Sequence, residues 1–191
     1  MNKALLALII FSILFPTLGW SHGSHGSGFV AGLTHPIFGL DHALAIFGLG
    51  IMSHYLKPTS WYFYPLAFIA PMVVAGYIGI DQEGIVFVEK IIALSVVVIG
   101  LGLALLKPKS NLAIYLAIAL FGAFHGFAHG TEMPEGTTAL QYIPGFLVGA
   151  LLLSIVGLSV GKMIDRTVNS LRYYVLLGGF IAGAGFIILI S

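Results

Sequence analysis

The chain has 191 residues, of which 59% are hydrophobic and only 8% charged, with a mean hydropathy of +1.05. A soluble domain carries roughly 25% charged residues, so this chain cannot cover itself with a polar surface and belongs to the integral membrane class. The net charge of +1 comes with no basic stripe that would bind nucleic acid, and the absence of cysteine excludes disulfides, thiolate metal sites and iron–sulfur clusters.

Lys3 is followed by an apolar stretch over 4–15 and then by Pro16, Gly19 and Ser21. A basic start, a short apolar core and small residues at the cut describe a secretory signal peptide. Residues 1–21 are therefore expected to be removed, an uncleaved first helix being the alternative. Residues 22–28 form a Gly/Ser/His linker with nothing to bury. Its His22 and His25 could gather metal, helped by a free α-amine after cleavage, or simply be a solvated spacer.

Residues 29–191 hold six hydrophobic runs, at 29–55, 61–80, 85–106, 112–128, 140–161 and 173–190. Each is near the ~20 residues that span a bilayer as a helix. Every backbone group in lipid must be satisfied within its own segment, so these runs predict helices. Barrel strands would be shorter and would alternate. The expected fold is an all-α six-helix transmembrane bundle after a cleaved signal peptide. Gly122/Gly126/Gly130, Gly145/Gly149, Gly157/Gly161 and Gly179/Gly183 recur at the spacing that lets helix backbones approach closely.

Basic residues set the orientation. With the mature N-terminus outside, the cytoplasmic loops hold Lys57, Lys107, Lys109, Lys162, Arg166 and Arg172. The outer loops hold Asp81, Glu83, Glu132 and Glu135, with only Lys90 toward the outside. The expected location is the bacterial inner membrane, with both termini of the mature chain on the periplasmic side.

Two polar clusters interrupt the apolar runs. The first is Thr34-His35-Pro36-Ile37-Phe38-Gly39-Leu40-Asp41-His42. On one continuous helix His35 and His42 would stack two turns apart, with a kink at Pro36 and close approach at Gly39. An ionised Asp41 in lipid needs a cation, a metal or a protonated histidine. The second is Phe124-His125-Gly126-Phe127-Ala128-His129-Gly130-Thr131-Glu132. His125 and His129 share a helix face, a common chelating spacing. The topology puts both clusters in the outer half of the membrane, where they can meet. Imidazole nitrogens with carboxylate oxygens suit Ni(II), Co(II), Zn(II) or Fe(II). His54, near the cytoplasmic end of the first run, is a candidate exit ligand or an ordinary interfacial histidine.

The two clusters resemble the signatures of the HupE/UreJ family of nickel and cobalt permeases, His-x5-Asp-His and Phe-His-Gly-x-[Ala/Val]-His-Gly-x-Glu. Both are unbroken here. The signal peptide with six following helices is also similar to the family's layout. The resemblance implies uptake of Ni2+ or Co2+ through His35, Asp41, His42, His125, His129 and Glu132, with no enzyme activity and no prosthetic group. Zn2+ and Fe2+ remain compatible as cargo. The expected partners are the divalent ion and membrane lipid, with no nucleic acid; a homo-oligomer is compatible with the sequence but not specified by it. The competing readings are a His-box membrane metalloenzyme and a sensor that binds metal without moving it.

Overall fold

A computed structural model describes residues 28–56, 60–80, 82–83, 85–107, 109 and 111–191. The expected signal peptide, His22, His25, Lys57 and Asp81 lie outside these. Seven helices follow in order: α1 (Gly28–Phe38), α2 (Leu40–Tyr55), α3 (Phe63–Gly79), α4 (Val86–Leu105), α5 (Leu112–Thr131), α6 (Ala139–Asp165) and α7 (Ser170–Ile190). The described residues contain no strand. Four helices, α4 to α7, are long and apolar enough to cross a membrane, and the pair α1 and α2 makes a fifth if it counts as one span. The remaining apolar helix, α3, has 17 residues.

The first run departs from the expected continuous helix. It breaks at Gly39, whose φ of −71° and ψ of 110° are extended, and α1 and α2 meet at 76°. The kink expected at Pro36 falls three residues later. Pro36 stays inside α1 and packs on Gly149 of α6. The amide of Gly39 still bonds the His35 carbonyl, and Gly39 itself accepts the first bond of α2 from Ala43. The helical ladder therefore stops at the Gly39 amide and resumes at the Ala43 amide, and the His42 amide between them bonds the Asp41 side chain.

The ends of the elements are fixed by local chemistry. Asn111 caps α5 by accepting from the Ile114 amide at 3.1 Å. Thr138 and Gln141 form a capping box that starts α6. Gly28, the last residue of the expected linker, is the first of α1. Its φ of +62° suits glycine, and its amide donates to the Thr137 hydroxyl at 3.2 Å. That bond ties the start of α1 to the start of α6. The connections after α5 and α6 are shorter than the sequence predicts, because α5 runs on to Thr131 and α6 to Asp165.

Helices pair chiefly as α3 with α5, α4 with α7, and α1 and α2 with α6. Apolar side chains gain little from meeting each other rather than lipid, so close backbone approach carries much of the association. Gly122, Gly126 and Gly130 supply it between α5 and α3. A Cβ on Gly126 would overlap the Met72 carbonyl, and one on Gly122 the Phe68 carbonyl. Gly179 and Gly183 do not serve this purpose: both are exposed, with nothing within 4 Å of an added Cβ. Gly178 and Gly185 hold α7 against α4 instead. α2 is the central helix, with Leu44, Ala45, Ile46, Phe47, Leu49 and Ile51 all buried.

Candidate metal centre

The break at Gly39 positions the site. It turns α2 so that its first turn, carrying Asp41 and His42, lies inside the bundle. A carboxylate there is favoured by the partial positive charge of a helix N-terminus. Asp41 Oδ1 accepts from the His42 backbone amide at 2.8 Å and from His42 Nδ1 at 2.6 Å. A carboxylate only accepts, so Nδ1 carries the proton and Nε2 presents a lone pair.

His125 is arranged the same way by other means. Its Nδ1 donates to the Phe121 carbonyl one turn back at 2.9 Å, again leaving Nε2 as the acceptor. A second partner that fixes tautomer and ring orientation is the usual outer support of a metal-binding histidine. The close contact of α3 with α5 at Gly126 sets His125 against Phe68, with ring centroids 5.0 Å apart, and His129 lies 3.9 Å from the ring of Phe146.

The four imidazoles form one connected group. Ring centroids are 4.7 Å apart for His35 and His129, 4.4 Å for His129 and His42, and 5.0 Å for His42 and His125. His35, His42 and His129 each offer a ligand atom, all within 4.8 Å of one another. His125, His129 and His42 are buried, at 0, 3 and 4% exposure. Nε2 of His42, Nε2 of His125 and both nitrogens of His129 have no hydrogen-bond partner among the described residues. Leaving a buried polar atom unpaired costs about 1–3 kcal/mol. A cluster of lone pairs in an apolar bundle is therefore chemically suited to a cation.

His35 and Glu132 form the more open edge. His35 Nε2 lies 3.1 Å from Glu132 Oε2, and both side chains are partly exposed. Glu132 caps the C-terminus of α5. Burial opposes its ionisation, but the hydrogen bond with His35 helps to hold its carboxyl below the usual range.

Each signature residue thus has a place. His35, His42 and His129 converge, His125 adjoins them, Asp41 bonds His42, and Glu132 bonds His35. His54 is apart, at the far end of α2, where its Nε2 lies 2.9 Å from Asp165 Oδ2. Sequence reasoning passed over Asp165, which sits between Lys162 and Arg166 and looks like a loop charge. It also passed over Tyr142, a buried tyrosine whose ring centroid is 6.1 Å from that of His35.

Imidazoles and carboxylates gathered inside the apolar body of a multi-pass helical membrane protein equip it to handle metal, and the family match makes it a transport protein rather than an enzyme. The chain belongs to the HupE/UreJ family: the family model described as "HupE / UreJ protein" matches residues 8–188. Protein HupE of Rhizobium leguminosarum bv. viciae is 30% identical over 164 residues, covering 85% of this chain and 86% of that protein. No solved structure matches the chain.

Proposed function

We propose that the chain is a secondary permease that imports Ni2+ or Co2+ across the bacterial inner membrane. The observation that carries this reading is the convergence of His35, His42 and His129 from three helices, their ligand atoms within 4.8 Å, with buried nitrogens of His42 and His129 that lack other partners. Neutral imidazole with a few carboxylate oxygens suits these ions better than Mg2+ or Cu+.

The ion is captured at the exposed edge, by Glu132 and His35, after His22 and His25 have gathered it outside. It sheds part of its water as His129 and His42 replace it, and reaches His125 last. Asp41 acts through His42, holding its Nε2 toward the ion and supplying negative charge nearby. Beyond the site the interior is filled by the α2 core, so inward release needs the helices to part. The break at Gly39 offers a hinge for that, in the manner of other transporters whose broken helices bind cargo near mid-membrane. His54 serves as an exit ligand only once its bond to Asp165 opens.

In this reading the signal peptide is cleaved after Ser21. The α1–α2 pair is one broken crossing, α3 is a short one, and the mature chain crosses six times with both termini outside. The described residues and the sequence together contain no phosphate-binding G-x-x-x-x-G-K-[ST] loop. The membrane potential suffices as a driving force: at about 2.3 kcal/mol per charge per 100 mV, a divalent ion gains roughly 4.6 kcal/mol moving inward. That is more than about a thousandfold accumulation.

Uptake of radiolabelled nickel into proteoliposomes, with cobalt as competitor, tests the proposal. The wild-type protein accumulates the ion, while His42→Ala and His129→Ala reach the membrane and accumulate none. Normal uptake in both variants would sink the site assignment. Binding without uptake in the wild type would make the protein a sensor.

A further inference from the structure

Among the buried polar groups that the site leaves unused is the hydroxyl of Tyr142. Tyr142 is 2% exposed, and its hydroxyl has no hydrogen-bond partner among the described residues. The tyrosines at the opposite end differ. Tyr55 donates to the Leu106 carbonyl at 2.7 Å, and the Tyr174 hydroxyl lies 2.9 Å from both the Gly161 carbonyl and Asp165 Oδ1. An unpaired buried hydroxyl is a net cost that phenylalanine, of nearly the same shape, would not carry.

The position of Tyr142 is determined from two sides. The capping box at Thr138 starts α6 just before it. Gly32 of α1 lets the Tyr142 carbonyl approach where a Cβ would overlap it. His35 lies three residues beyond Gly32, on the same face of α1, and its ring meets that of Tyr142 edge-on at 74°. Tyr142 also lines a cavity between α3, α5 and α6 together with His129. The other side chains of that wall, including Met72, Met133, Ile143 and Phe146, are apolar.

We propose that Tyr142 is a further residue of the metal site, whose phenol hydrogen-bonds a water that the divalent ion keeps while His35, His42 and His129 replace others. This rests on the permease reading above. A hydrated divalent ion carries more ligands than three imidazoles displace. A metal-bound water is a strong donor, and a phenol oxygen accepts from it while its own O–H remains free to donate. A buried water needs at least two polar partners. In this cavity the ion would be one and Tyr142 the side chain able to be another. Tyr142 is then a positioning residue that favours ions able to keep water beside nitrogen ligands.

The test compares Tyr142→Phe with wild type, using Ni2+ alone as the ligand in binding and proteoliposome uptake. Tyr142→Phe should raise both Kd and KM about threefold to tenfold with little change in Vmax. Its metal-free melting temperature should be equal to or above wild type, because no internal bond is lost. Tyr55→Phe, which loses the bond to Leu106, should show the reverse, a lower melting temperature with unchanged KM. If the wild type takes up no Ni2+, the permease reading itself fails and this proposal with it. If the wild type transports, His129→Ala does not, and Tyr142→Phe keeps a wild-type Kd and KM, only the Tyr142 assignment fails. A lower metal-free melting temperature for Tyr142→Phe would reveal a structural partner for the hydroxyl and would also overturn it.

Discussion

The two ends of α2 are built from the same residue types and are wired differently. At its start, His42 bonds Asp41 through Nδ1 and keeps a buried Nε2 without a partner, among three more imidazoles and the unpaired hydroxyl of Tyr142. At its end, His54 bonds Asp165 through Nε2, and the second carboxylate oxygen of Asp165 meets the Tyr174 hydroxyl. Histidine, aspartate and tyrosine occur at both ends. The far end is a closed network joining α2, α6 and α7, and it is satisfied internally. The near end is orienting bonds plus leftover acceptors. What separates a structural histidine from a candidate ligand is therefore what remains after internal bonding, not the presence of an imidazole in an apolar helix.

The largest way to break this contrast is to disturb the packing that gathers the imidazoles. Gly126 lies between His125 and His129, and an alanine there would overlap the Met72 backbone, which cannot yield without α3 and α5 separating. Gly126→Ala should cost about 1–3 kcal/mol and abolish Ni2+ binding. Gly179→Ala, with open space around it, should do neither. Thermal unfolding in detergent with Ni2+ titration reads both effects. Equal behaviour of the two variants would mean that helix contact does not hold the site together.

A more selective change removes the orienting carboxylate and leaves the imidazoles. In Asp41→Ala, His42 loses the acceptor that fixes its tautomer. Loss of such an outer partner weakens metal affinity by about 10–100-fold. Calorimetric titration with Ni2+ should show that loss, while His35 and His129 still bind the ion weakly. Complete loss would instead indicate that Asp41 touches the ion itself.

The sequence displays the near end more fully than the far end. Both signatures spell out their donors, and an aspartate and four histidines inside apolar runs are conspicuous because lipid makes them costly. Which helices bring them together is not legible. Each run is apolar on all sides, so nothing marks the face that meets protein rather than lipid; glycine spacing hints at it, correctly for Gly122, Gly126 and Gly130 and wrongly for Gly179 and Gly183. The broken first run was half legible. Pro36 and Gly39 both announce a weak helix, but the bend falls at Gly39 because Pro36 is held against Gly149, a contact made by tertiary packing. Tyr142 and Asp165 gave no local signal. A tyrosine near a helix end resembles an interfacial aromatic, and an acid beside Lys162 and Arg166 resembles a solvated charge.

The smallest expected effect lies at the far end, and it decides whether His54 belongs to the path. The His54–Asp165 pair is a quarter to a third exposed on its two sides, so its contribution to stability is about 1 kcal/mol or less. His54→Ala and Asp165→Asn should each lower the melting temperature slightly and leave the KM for Ni2+ unchanged, because the ion is captured at the other end of α2. Their Vmax carries the information. If the pair only joins α2 to α6, Vmax stays near wild type in both variants. If the pair must open for His54 to accept the ion, Asp165→Asn should release it sooner and raise Vmax, whereas His54→Ala should lower it. Opposite shifts in the two variants would thus move His54 from the satisfied network into the transport path.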